Sequence, residues 1–382
     1  MDSENREPVP RVIRNGQQKS GWKILRTRII LSIIAGAALS AAGFYYSLRH
    51  VPLGDLAAYM GTVDYWWIAP AALLGLSSFV IRALRWQAIL GTSVRLPFGA
   101  AYHPLMIGFM INSVLPGRVG EIARPAIIRK KENVPFSLGL ATVGAERMLD
   151  GITLVLLFTW MSSAVAVDPD MEMSVRGHYV SGEVLENLAS GMIVVSIVLL
   201  ALVAAMNIRA VQRLLKRAVL GIPDLIAPVG ARRERLRKKI FVPAAHIIDH
   251  TAAGLSLLRH PGKLLVCCVY SAAIWLSQAA VFYIAVLGSP RISITFTQST
   301  TVFIIVCLFI ILPSVPGFWG VWEAGGVFGL ALFGVPATDA LGFSLAVHAV
   351  LLFPVMFAGI VSAVVTGVNI LRAGYGGRQK NS

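Results

Sequence analysis

Charge is what this sequence has least of: Asp, Glu, Lys and Arg make up 14% of its 382 residues, against about 25% in soluble globular chains. With 56% of residues hydrophobic, too little polar side chain remains to cover a water-facing surface, and a soluble enzyme is excluded. Cysteine is scarce as well. Cys267, Cys268 and Cys307 all fall in apolar segments, which excludes a disulfide framework or zinc spacing and reads them as small buried hydrophobes. Sustained polar/apolar alternation is missing, so helices rather than barrel strands are expected to cross the membrane. There is no nucleotide-binding glycine loop and no metal-binding acid pair. No cofactor and no metal are expected.

What remains is a series of apolar runs long enough to cross about 30 Å of hydrocarbon. Between them lies a net charge of +15, from 34 basic and 19 acidic residues. That charge sits in blocks rather than on a folded soluble domain. It reads as the cytoplasmic bias of Lys and Arg, with attraction to anionic headgroups as a second effect, and not as a nucleic-acid footprint. The basic stretch 1–27 is longer than the lead of a signal peptide and is read as a cytoplasmic tail before an uncleaved first helix.

Spans are expected at 28–47, 66–90, 137–167, 189–206, 263–287 and 341–371. The loop 168–188 holds five acids against one arginine and suits the outside, whereas 209–239 holds ten basic residues and two acids and suits the cytoplasm. Residues 241–260 read as an interfacial or half-buried helix. The run 98–116 lies between two cytoplasmic flanks and is expected to enter and return on one side. The run 297–333 either does the same from the outer face or counts as two full spans with a different parity. The expected fold is therefore an all-α integral membrane protein with about six to eight transmembrane helices and two re-entrant broken helical hairpins. Its divisions are the tail 1–27, a polytopic membrane region 28–371 with the basic segment 208–240, and a cytoplasmic tail 372–382. Both termini are expected in the cytoplasm, and the protein in the inner (cytoplasmic) membrane.

The two broken runs echo each other. One reads Pro116-Gly117-Arg118-Val119-Gly120-Glu121; the other reads Pro316-Gly317-Phe318-Trp319-Gly320-Val321-Trp322-Glu323. Each has Pro-Gly-x-x-Gly and then a glutamate one or three residues later. A single copy would mark a helix end and no more. Two copies in corresponding places point to an inverted repeat, in which interrupted helices meet at the midplane around a substrate site.

Charged groups within such runs need partners or a wet cavity. Glu146 and Asp150 are four residues apart and share a helical face, with Arg147 beside them and able to pair with Glu146, Asp150 or Glu121. They either lock helices together as a salt-bridge cluster or line a transport path. Arg82 and Arg85 either snorkel to the inner interface or join Arg118 and Arg124 in a pocket for phosphate, whose oxygens suit the planar guanidinium. The helix starting near Gly120 would add free N–H groups to that pocket, and Asn112 stands just before the break. Glu121 and Glu323 are either helix-start acids or proton-coupling groups. His246, Asp249 and His250 lack a third metal ligand, and His103 and His348 read as packing or hydrogen-bonding residues.

In order along the chain, Arg82-Ala-Leu-Arg85-Trp86, the segment from Asn112 to Pro125, Glu146-Arg147-Met-Leu-Asp150 and the segment from Pro313 to Glu323 resemble the transmembrane region of the lysylphosphatidylglycerol synthases, a flippase-like family. The likeness runs from about residue 25 to 372. In its best-known members this region moves aminoacylated phosphatidylglycerol to the outer leaflet and is fused to a cytoplasmic aminoacyl-transfer domain. Here the sequence ends at Ser382, without room for that domain. The resemblance thus implies a stand-alone member that translocates lipid without making lysyl-lipid. The expected function is flipping of a phospholipid or lipid-linked polar headgroup, without enzymatic chemistry. The arginines would hold phosphate, and the acids a cationic or hydroxylated headgroup. The partners expected are membrane lipids with an anionic phospholipid or glycolipid headgroup and a separate synthase or glycosyltransferase, with no nucleic acid; a dimer is one open oligomeric state. The alternatives are a lipid-modifying membrane transferase and a non-catalytic partner of a lipid or glycolipid synthase.

Overall fold

The computed structural model describes residues 37–49, 51–115, 118–164, 173–175, 178–180, 209–226, 260–311 and 315–368, with a few single positions between 230 and 257. The expected span 189–206 and most of the stretch 241–260 lie outside the described residues, as do Pro116, Gly117, Pro313, His246, Asp249 and His250. Both terminal tails do too.

The described chain is helical throughout, apart from a short antiparallel pair, Met173–Val175 with His178–Val180. The helices are α1 (37–48), α2 (Leu53–Met60), α3 (Ile68–Leu90), α4 (Phe98–Val114), α5 (Gly120–Glu132), α6 (Phe136–Ala164), α7 (Arg209–Ile226), α8 (Pro261–Leu287), α9 (Phe296–Phe309), α10 (Val321–Ala331) and α11 (Ala337–Thr366). Among the described residues three stretches are long and apolar enough to cross a membrane: Tyr65–Leu90, Pro261–Leu287 and Ala337–Thr366. The 29-residue α6 matches them in length but carries Glu146, Arg147 and Asp150 near its middle.

Local chemistry sets the ends. Pro97 and Pro336 precede α4 and α11, where a proline's fixed backbone favours the extended entry that both adopt. A capping box opens α9: Thr295 accepts from the Gln298 N–H, and Gln298 accepts from the Thr295 N–H. Asn133 and Gly367 close α5 and α11 in the left-handed conformation. In α7, Val211, Leu214, Leu215, Ala218 and Ile222 recur at helical spacing opposite Arg213, Lys216 and Arg217, an amphipathic pattern.

Eight of the described helices fall into two sets of four with matching contacts. In one set α3, α4, α5 and α6 touch in order; in the other α8, α9, α10 and α11 do the same. Across the sets the contacts are exchanged: α4 packs on α11 as α9 packs on α6, and α3 meets α11 as α8 meets α6. The counterparts α3 and α8 form the most extensive pairing and run antiparallel. The Lys263 ammonium at the start of α8 donates to the Gly91 carbonyl after α3, and the Asp64 N–H before α3 donates to the Gly288 carbonyl after α8 at 2.8 Å. Each set has its own apolar core, one around Trp86, Leu105 and Met106, the other around Phe282, Phe303, Trp322 and Phe343.

The paired runs α4/α5 and α9/α10 have 17, 13, 14 and 11 residues. At about 1.5 Å per residue, none reaches the roughly 30 Å of a bilayer core. Both runs break where the repeated motif lies.

Candidate functional site

The breaks share one backbone feature. Arg118 (φ 53°) and Phe318 (φ 62°) occupy the same place in the motif, and both are left-handed without being glycine, an uncommon conformation for such residues. Two residues later, Gly120 and Gly320 start the return helices. A methyl group on Gly120 would overlap the Gly108 carbonyl oxygen of α4, and one on Gly320 would overlap the Ser40 carbonyl oxygen of α1. Glycine is thus needed at both places for close backbone approach.

The two breaks also meet. Arg118 Nη2 donates to the Ile310 carbonyl at the end of α9 at 3.1 Å. The turn Pro316–Phe318 packs on α4, where a Cβ at Gly317 would stand 3.4 Å from the Ser113 carbonyl oxygen. The second break is held from α1 and α11 as well. Ser40 Oγ accepts the Val315 N–H at 3.0 Å. His348 lies between Trp319 and Trp322, with ring centroids 4.4 and 4.6 Å away.

Beside the first break lies a buried ionic network joining α3, α5, α6 and α8. Arg85 Nη1 donates to Asp150 Oδ1 at 2.7 Å and to Ser271 Oγ at 2.8 Å, with Glu146 at 3.8 Å. Arg124 Nη2 donates to Glu146 Oε2 at 2.6 Å, and its guanidinium lies 4.1 Å above the Trp86 ring. Arg147 meets Asp150 at 3.0 Å and Glu121 at 3.8 Å. Arg85, Arg124, Glu146 and Asp150 are all buried. Ions so removed from water need such pairing.

A cavity of about 490 Å³ opens between this network and the two breaks. Of the residues singled out in the sequence, Arg82, Asn112, Arg118, Glu121, Arg124, Arg147 and Asp150 line it. Arg85, Glu146 and Glu323 stand behind the wall, fully buried. Sequence reading missed Trp275, Gln278 and the lining role of His348. Trp275 and Gln278 are three apart on α8 and so share a face, but an aromatic and an amide in an apolar run give no stronger signal.

Two sequence expectations need correction, and one choice left open is narrowed. The N–H groups at the start of α5 are not free for an anion. Gly120 donates to Asn112 Oδ1 at 2.7 Å, Glu121 to the Arg118 carbonyl at 3.0 Å, and Ile122 and Ala123 to the Val119 carbonyl. The left-handed turn at Arg118 aims those carbonyls back at the helix. Of the two readings open for the acids, Glu323 fits that of a helix-start acid, accepting the Gly320 N–H at 2.6 Å and capping α10, whereas Glu121 is half-buried on the cavity wall. Finally, Cys268 is exposed on α8, while Cys267 and Cys307 are buried as expected.

Comparison with known proteins adds two findings. A family model described as the lysylphosphatidylglycerol synthase TM region matches residues 33–359. The glycosyltransferase AglD of Haloferax volcanii is 25% identical to the chain over 140 residues, 36% of this chain and 22% of that protein. The chain therefore spans about a fifth of the length of that curated relative.

Proposed function

The chain belongs to the lysylphosphatidylglycerol synthase TM region family, and from that premise we propose that it translocates the polar headgroup of a phospholipid or lipid-linked molecule between the leaflets of the cytoplasmic membrane. The observation that carries this reading is the meeting of the two broken runs around one charged cavity. Irregular backbone at bilayer depth is tolerated where it lines a water-filled space. Helices α4/α5 and α9/α10, too short to cross, act as re-entrant hairpins. Their parent sets form an inverted repeat, because the counterparts α3 and α8 run antiparallel. The headgroup enters the cavity while the acyl chains stay in lipid, and rocking of one set against the other opens the cavity to each leaflet in turn. The process makes and breaks no covalent bond, so the protein acts as a transporter and not as an enzyme.

A fluorescent headgroup- or chain-labelled phospholipid in liposomes containing the purified protein tests this reading. Label from the inner leaflet should become accessible to a membrane-impermeant quencher at least about tenfold faster than in protein-free liposomes, a barrier change of about 1.4 kcal/mol. No acceleration across anionic, zwitterionic and glycosylated lipids overturns it.

The partial match to a glycosyltransferase supports a second reading, in which the chain serves a separate lipid or glycolipid synthase as a non-catalytic membrane partner. Its basic amphipathic helix α7 suits the membrane surface where such a partner would work. Neutralising Arg213, Lys216 and Arg217 would then abolish function while leaving lipid movement in liposomes intact.

A further inference from the structure

Charge at the cavity is unequally matched. Arg85, Arg124 and Arg147 face Glu121, Glu146 and Asp150, three cations to three carboxylates. Glu323 and His348 hold each other. Two cations on the wall remain. Among the described residues Arg82 makes no ion pair and no hydrogen bond. Its guanidinium lies over the faces of Phe79 and Phe109, the nearby Asp150 is already held by Arg85 and Arg147, and its Nε is buried without a hydrogen-bond partner. Arg118 donates to the Ile310 carbonyl, which is neutral. On the same wall Trp275 Nε1 and Gln278 Oε1 are buried and unpartnered. Buried polar groups are ordinarily satisfied, and a cation without a counter-charge is costly away from water.

We infer that the cavity takes a phosphate-bearing headgroup that carries free hydroxyls and no cationic group. The inference rests on the translocation reading of this cavity and narrows its cargo. Phosphate oxygens supply the acceptors that Arg82 and Arg118 lack, in the fork geometry guanidinium favours. A hydroxyl both accepts from Trp275 Nε1 and donates to Gln278 Oε1. An ammonium finds nothing equivalent, because every described carboxylate on the wall already faces an arginine, and it meets two cations that have no carboxylate of their own. Phosphatidylglycerol and a glycosyl polyprenyl phosphate share the required chemistry. Aminoacylated phosphatidylglycerol, with its added amine, does not.

Equilibrium binding to the purified full chain in detergent tests the inference without requiring transport. The probes are phosphatidylglycerol, a glycosyl polyprenyl phosphate, phosphatidylcholine, lysyl-phosphatidylglycerol and free glycerol 3-phosphate. One or both phosphate-and-hydroxyl lipids should bind at least about tenfold more tightly than phosphatidylcholine or lysyl-phosphatidylglycerol, the size of one charge-assisted hydrogen bond. Which of the two binds identifies the source of the headgroup. Binding of glycerol 3-phosphate alone, with neither lipid, overturns a lipid cargo. Arg82→Gln and Arg118→Gln should each weaken the lipid about tenfold or more. Arg118 is exposed, so its variant tests the site even if Arg82→Gln fails to fold. Lysyl-phosphatidylglycerol bound as tightly as the anionic lipids, or an Arg118→Gln protein binding like wild type, overturns the inference. Selective binding without leaflet-to-leaflet movement leaves it standing and sinks the translocation reading instead.

Discussion

His348 Nδ1 lies 2.7 Å from Glu323 Oε1, and His348 Nε2 lies 2.8 Å from the Gly317 carbonyl oxygen. A carbonyl only accepts, so Nε2 carries a hydrogen and donates it. The contact with Glu323 is then made either by an imidazolium donating to a carboxylate or by a protonated glutamate donating to the ring. In both cases one proton lies between α10 and α11. Because Glu323 also accepts the Gly320 N–H, this proton ties the second break to the last helix.

Glu323→Gln keeps both bonds, since the amide oxygen accepts from Gly320 and the amide nitrogen donates to His348. Glu323→Ala loses both. We expect the Gln variant to melt close to wild type in detergent and the Ala variant to lose about 2–4 kcal/mol, from two buried groups left unsatisfied. Equal losses in the two variants would contradict the assigned bonding.

Arg82 and Arg85 are three residues apart and are expected to fail in opposite ways. Arg85→Ala breaks the buried pair with Asp150, leaves that carboxylate to Arg147 alone and strips Ser271 Oγ of its donor, and should cost about 3–5 kcal/mol of stability. Arg82→Ala, with no ion pair or hydrogen bond to lose, gives up its contacts with two phenylalanine rings, about 0.5–2 kcal/mol. Thermal unfolding alongside the liposome assay separates them: Arg85→Ala is poorly folded, and Arg82→Ala is folded but slow.

Gly120→Ala and Gly320→Ala each push a methyl group into a carbonyl of a neighbouring helix. Overpacking of this kind costs about 1–3 kcal/mol, and at Gly320 the left-handed backbone adds strain. The yield of folded protein should fall in both. Gly144→Ala, on α6 with open space around it, should not change the yield.

Much of this was legible in the chain. Apolar length gave the spans near α3, α8 and α11, and the Pro-Gly-x-x-Gly echo located both breaks, because only such residues interrupt a helix so sharply. The acids and arginines stood out because charge is scarce. The reach of Arg147 to Asp150 and Glu121 was legible too, but the partners of Arg85 were not, since it meets Asp150 across 65 residues of sequence. The sequence could not separate Arg82, left unmatched on the wall, from Arg85, sealed behind it. The starts of α5 and α10 looked alike in sequence, yet Asn112 caps one from a preceding helix and Glu323 caps the other from within.

The wetness of the cavity is the point on which transport depends, and thiol labelling measures it directly. In a protein with Cys267, Cys268 and Cys307 replaced by alanine, Gln278→Cys places a thiol on the cavity wall, and Leu276→Cys places one on the outward face of the same helix. A small water-soluble thiol reagent reacts with thiolate, which forms only where water reaches. The account predicts rapid labelling of Gln278→Cys, slowed by added anionic lipid, and little labelling of Leu276→Cys in a bilayer. A Gln278→Cys thiol as unreactive as the one at 276 would contradict it.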